Sequence, residues 1–91
     1  MTVKYRAYFG KVNDVKEIVC EFIERFRRGE GVLAYEVYQD KDDEHAFIQI
    51  MKFKDEKSEE IHRNSEHVKE FADKLYPFCQ TEPKFSRLKV V

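Results

Sequence analysis

Two of the three histidines, His62 and His67, lie five residues apart in Ile61-His62-Arg63-Asn64-Ser65-Glu66-His67. An imidazole exchanges its proton near neutral pH, which suits general acid or base work. Asn64 and Ser65 are residue types that start a helix by accepting backbone N–H bonds. In one unbroken helix the two rings would point in different directions. A break at Asn64-Ser65 could turn both towards one cavity. His67, His62 and the polar neighbour Asn64 are therefore the candidate catalytic groups. The structural alternative is that His62 closes a short helix and His67 bonds to backbone in the next.

Tyr35, Phe47, Phe71 and Tyr76 are candidates to line an apolar pocket that stacks a planar, small aromatic ligand. Ordinary core packing is the alternative for each. His62, Glu66 and His67 form the tightest grouping of potential metal ligands. They lack the four ligands of a structural zinc site and the spaced three of a catalytic one, so no metal is expected. Cys20 and Cys79 form no CxxC and read as reduced thiols of a cytoplasmic protein. Walker and dinucleotide fingerprints are absent, so no nucleotide or flavin cofactor is expected. Arg6, Arg87 and Lys89 could neutralise an acidic or phosphorylated ligand; a solvated surface, or cross-strand pairing with Glu36 and Glu44, is the plainer alternative.

The elements that must position these groups follow from periodicity. Val3 to Phe9 alternates with period two, placing Val3, Tyr5, Ala7 and Phe9 on an apolar face. Asn13 or Asp14 offers an N-cap, and Asp14 with Glu17 fits a capping box. Val15, Ile18, Val19, Phe22, Ile23 and Phe26 make a helical stripe, stopped by Gly29 and Gly31. Val32 to Asp40 and Glu44 to Phe53 read as a hairpin around Lys41-Asp42-Asp43. Asp55 caps a short helix to about Arg63, whose Lys57, Glu59 and Glu60 suggest an exposed element. A further helix runs from about Glu66 to Tyr76 on a stripe of Val68, Phe71, Ala72 and Leu75, closed by Pro77. Phe85 to Val91 is a last strand.

One domain accounts for all 91 residues. Strand, helix, strand, strand, helix, strand is the ferredoxin-like split βαβ order, an α+β fold with helices on one face of an antiparallel sheet. The third strand is apolar on both sides, and such strands are usually covered on both. Eight Phe and five Tyr add more aromatic surface than one thin layer covers. A homodimer through the open sheet face is expected. Net charge is -1, which gives no default nucleic-acid partner. No apolar run approaches the length of a membrane span, and Met1 leads into a strand pattern with no signal-peptide features.

Three patterns across nearly the whole chain resemble the antibiotic biosynthesis monooxygenase (ABM) domain family. Glu30 to Asp40 resembles its Gly-containing entry into the second strand. Phe47 to Phe53 with Lys54-Asp55 resembles its third strand and exit into a short helix. His62-x-x-Ser65-x-His67-x-x-x-Phe71 resembles its His-x-x-Ser-x-His segment. The resemblance implies a dimeric α+β barrel and a cofactor-independent monooxygenase acting on a small aromatic or quinol. The family's isomerase branch implies one alternative, an isomerase of a small phosphorylated carbonyl compound; the other is a non-catalytic ligand-binding or dimerisation module in which the histidines are structural. Its heme-degrading members rely on a Trp, an Asn on the first strand and a His in the last helix. This chain has no Trp and lacks the other two features.

Overall fold

The computed structural model describes residues 1–89 and Val91. Its elements are β1 (Thr2–Arg6), α1 (Val12–Arg27), β2 (Val32–Gln39), β3 (Ala46–Phe53), α2 (Glu56–Arg63), α3 (Glu66–Leu75), a 3-10 turn (Tyr76–Phe78) and β4 (Lys84–Ser86). The four strands form one antiparallel sheet in the order β2-β3-β1-β4. That is the ferredoxin-like order, and the fold is α+β as expected.

The register assigns the two faces. Val37, Gln49, Val3 and Phe85 lie side by side across the four strands. With Tyr5, Phe47, Tyr35 and Met51 they form the face beneath the helices, because side chains alternate along each strand. Val3, Tyr5, Tyr35, Phe47 and Met51 pack there with Val15, Phe22, Phe26, Phe71 and Leu75 as the core. The opposite face carries rows Glu36–Ile50–Thr2–Ser86 and Tyr38–Ile48–Lys4–Lys84. Ile48 at its centre is half-buried, and Ile50 is 38% exposed.

Local chemistry explains the helices that carry the histidines. The Asp55 carboxylate accepts from Ser58 N at 2.8 Å and starts α2. Ser65 Oγ accepts from Val68 N at 3.2 Å and starts α3. Each satisfies one of the backbone donors that a helix N-terminus leaves unpaired. Asn64 ends α2, so the expected break is present. Gly31 has φ +79°, and a Cβ there would collide with Ser58 Oγ. Its carbonyl accepts from Lys54 N at 2.7 Å. Only glycine lets β2 start this close to α2.

Four expectations need correction. Phe9 does not join the apolar face. β1 ends at Arg6, Ala7 makes only a single bridge to Cys79, and Phe9 stands 90% exposed before a turn at Gly10. Neither Asn13 nor Asp14 caps α1. Lys11 N bonds Tyr8 O and Val15 N bonds Lys11 O, so the helix begins at Val12 without a side-chain cap. Asp14 instead lies in the first turn, where a carboxylate complements the helix dipole. The last strand is three residues long and begins at Lys84; Arg87 to Lys89 are not in it, and Val90 lies outside the described residues. Glu59 is not exposed: its side chain is turned inwards and keeps 15% of its accessibility.

Candidate functional site

A partly open apolar cavity of about 60 Å³ lies between the sheet and the α2–α3 pair. Val3, Tyr35, Gln49 and Met51 form its floor, and His62, Val68, Phe71 and Leu75 its roof. Met1, Glu59, Arg63, Ala72, Tyr76, Pro83 and Phe85 also border it. Tyr76 and Phe85 are 41% and 58% exposed, so they belong to the rim.

His62 is half-buried on the inner side of α2. Its ring lies 5.2 Å from Phe26, 5.5 Å from Tyr35 and 5.3 Å from Phe53, centroid to centroid. Burial lowers its pKa below the ordinary value of 6.5, since an imidazolium loses hydration there. The ring is therefore neutral at pH 7 and able to accept a proton.

Beneath it runs a buried polar chain. Tyr5 OH donates to Gln49 Oε1 at 2.8 Å, and Gln49 Nε2 donates to Tyr35 OH at 2.9 Å. Gln49 is 2% exposed, so these bonds meet the rule that buried polar groups are paired. Burial pushes both phenols well above the ordinary tyrosine range, the Gln49 bond opposing the rise at Tyr35. Tyr35 accepts through its oxygen and retains its own O–H proton for donation.

The structure brings together His62, Tyr35, Phe71 and Tyr76 around this cavity. Phe47 is buried but lies outside the lining, stacked on Tyr5 at 5.7 Å. His67 is exposed and, together with His62, lines a second, outer depression of about 450 Å³ that Arg25, Lys54, Lys57 and Ser65 also border; only His62 reaches the inner cavity as well. Asn64 is exposed on the outer surface. The break between the helices thus turns His62 inwards and leaves His67 outside.

Sequence reasoning does not find Gln49, Tyr5 or Glu59. Gln49 is legible only as the one polar residue in the row Phe47, Gln49, Met51, Phe53. The cations have partners other than those expected. Arg6 pairs with Asp43, which holds that carboxyl below its usual range, and Arg87 Nε lies 3.3 Å from Glu59. Glu36 pairs with Arg27 at 3.1 Å. Cys20 is an exposed free thiol; Cys79 is buried, and burial pushes it up to about 11. Among the described residues no three His, Cys, Asp or Glu side chains converge as metal ligands, and no helix is long and apolar enough to cross a membrane.

A sheet roofed by helices on one face, with a small apolar cavity between the layers, defines a ferredoxin-like α+β domain with a candidate site under its helices. The family model described as antibiotic biosynthesis monooxygenase matches residues 1–74, and the chain belongs to that family. A conserved protein from Methanosarcina mazei Go1 is similar at 26% identity and a TM-score of 0.86, over 91% of this chain and 82% of that one. A structure described as an antibiotic biosynthesis monooxygenase has a TM-score of 0.92 at 19% identity, covering 99% and 95% of the two chains. One from Mycobacterium tuberculosis has a TM-score of 0.85 at 12% identity, covering 98% and 93%. The last two are too distant in sequence to carry more than the fold. Among curated proteins, none matches this chain.

Proposed function

We propose that the protein is a cofactor-independent monooxygenase acting on a small aromatic or quinol held in the cavity beneath α2 and α3. One observation carries this: His62 is a neutral imidazole facing an apolar cavity beside a tyrosine with a proton to donate. A quinol supplies all the electrons the reaction needs. Hydroquinone and O2 give hydroxyquinone and water: one oxygen atom enters the ring and the other leaves as water. His62 takes a hydroxyl proton, and the anion transfers one electron to O2. The radical pair joins at a ring carbon, and the His62 proton completes a hydroperoxide that loses water. Tyr35 steadies the ring oxygen that carries the negative charge. Removing water and supplying a positioned base are the protein's contributions. His67 and Asn64 stand away from the cavity and have no proton to move in this scheme.

The cavity is smaller than the roughly 150 Å³ that holds a benzene ring in an engineered protein core. Entry of one ring therefore requires Tyr76 and Phe85 at the rim to move aside. Family members are generally dimeric, and Ile48, Ile50 and Tyr38 on the open sheet face are what a second copy would cover. The test is oxygen uptake by the purified protein with a reduced quinone and no added metal or flavin. Uptake matched by hydroxyquinone formation is expected. Binding without any uptake would reassign the cavity to a ligand-binding module.

A further inference from the structure

The proposed oxygenation leaves two charged side chains of the cavity wall unused, the exposed Arg63 and the largely buried Glu59; Glu59 is the one turned inwards. It borders the same space as His62, with a side chain only 15% exposed. Its Oε1 is sealed from solvent and receives no hydrogen bond. Arg87 Nε lies 3.3 Å from that oxygen, which balances the charge without the direction a hydrogen bond needs. Arg87 itself is not part of the cavity wall. A buried carboxylate oxygen without a donor is costly, and in native proteins such groups are exceptions with a cause. The wall around it is mostly apolar: Met1, Val3, Met51, Val68 and Leu75 offer no side-chain hydrogen-bond donor, and the wall's exposed donors Arg63 and Tyr76 make no bond to Glu59 Oε1.

We infer that Glu59 accepts a hydrogen bond from a ligand hydroxyl, and so selects ring compounds that carry a free phenolic O–H. This rests on the proposed oxygenation site, because it seats the ligand in the same cavity. A hydroxyl on a carboxylate in an apolar site makes a short, charge-assisted bond. A ligand without the hydroxyl leaves the oxygen orphaned, and sites built to bond an O–H reject such analogues strongly. The hydroxyl that Glu59 holds stays protonated, which leaves His62 to deprotonate the other hydroxyl of a quinol.

Phenol and its isostere toluene separate hydroxyl recognition from shape. Calorimetric titration of both into the wild-type protein and Glu59→Leu gives the ratio of their affinities. The ratio is expected to shift towards toluene by at least about tenfold in Glu59→Leu, and not in Arg87→Ala. Unliganded Glu59→Leu is expected to melt above wild type, since an unpaired buried acceptor has been replaced by a methyl-bearing side chain. An unchanged ratio in Glu59→Leu, or a preference lost equally in Arg87→Ala, overturns the inference while leaving the cavity as a ligand site. Failure of both compounds to bind the wild type overturns it together with the oxygenation proposal.

Discussion

Gln49 Nε2 donates to the Tyr35 hydroxyl at 2.9 Å while Gln49 Oε1 accepts from Tyr5. One amide on the central strand β3 therefore fixes two phenols, one on β1 and one on β2. Gln49→Leu would leave both hydroxyls buried without a partner. The expected loss is about 2–6 kcal/mol, on the basis of about 1–3 kcal/mol for each of the two orphaned groups. The triple variant Tyr5→Phe/Gln49→Leu/Tyr35→Phe should recover most of it. Urea unfolding of the two variants measures the difference.

His62 couples stability to pH. Its folded pKa lies below the ordinary 6.5, so between the two values the unfolded chain binds more protons. Stability then rises with pH through that window. The contribution is fully present above about pH 6.5 and is lost as pH falls through the folded value. Wild type should lose more melting temperature than His62→Phe between about pH 7.5 and about pH 5. Equal losses would show that burial does not keep the ring neutral.

Phe26 joins α1 to the site. Its ring lies 5.9 Å from Phe22, 5.1 Å from Tyr35, 5.2 Å from His62 and 5.3 Å from Phe71. Phe26→Ala should cost about 3–5 kcal/mol, a large share of the roughly 5–15 kcal/mol that holds a domain folded. Denaturant unfolding checks it. The same variant frees the His62 ring, so its imidazole should titrate closer to the ordinary value by NMR.

The two glycines with positive φ separate backbone strain from steric conflict. Gly10 has open space where a Cβ would stand, whereas at Gly31 a Cβ would collide with Ser58 Oγ. Gly10→Ala should cost about 1–2 kcal/mol from the left-handed backbone alone. Gly31→Ala should cost clearly more, because α2 must move as well. Gly31→Ala combined with Ser58→Gly should return part of the difference in a thermal melt.

Local signals are legible in this chain and long-range ones are not. Asp55 and Ser65 announce α2 and α3 because a cap is a contact between near neighbours in sequence. The start of α1 is hidden because a turn hydrogen bond at Tyr8–Lys11 outcompetes two good capping residues. Phe9 has the spacing of a core position, yet the sheet ends before it reaches the helices. The inward turn of His62 depends on how α2 packs against Phe26 and Phe53, which come from elsewhere in the chain. Periodicity does not distinguish it from the outward His67. Glu59 reads as exposed because a carboxylate usually is; only the assembled cavity shows it sealed.

The central claim is that His62, and not His67, moves the proton at the start of oxygenation. Oxygen consumption with hydroquinone should be compared for wild type, His62→Ala and His67→Ala, with no added metal or flavin. His62→Ala should fall by about 10²–10⁴-fold, the usual worth of a positioned base, while His67→Ala stays within about twofold of wild type. Full activity in His62→Ala, or collapse in His67→Ala alone, would contradict the placement of the chemistry in the cavity beneath α2.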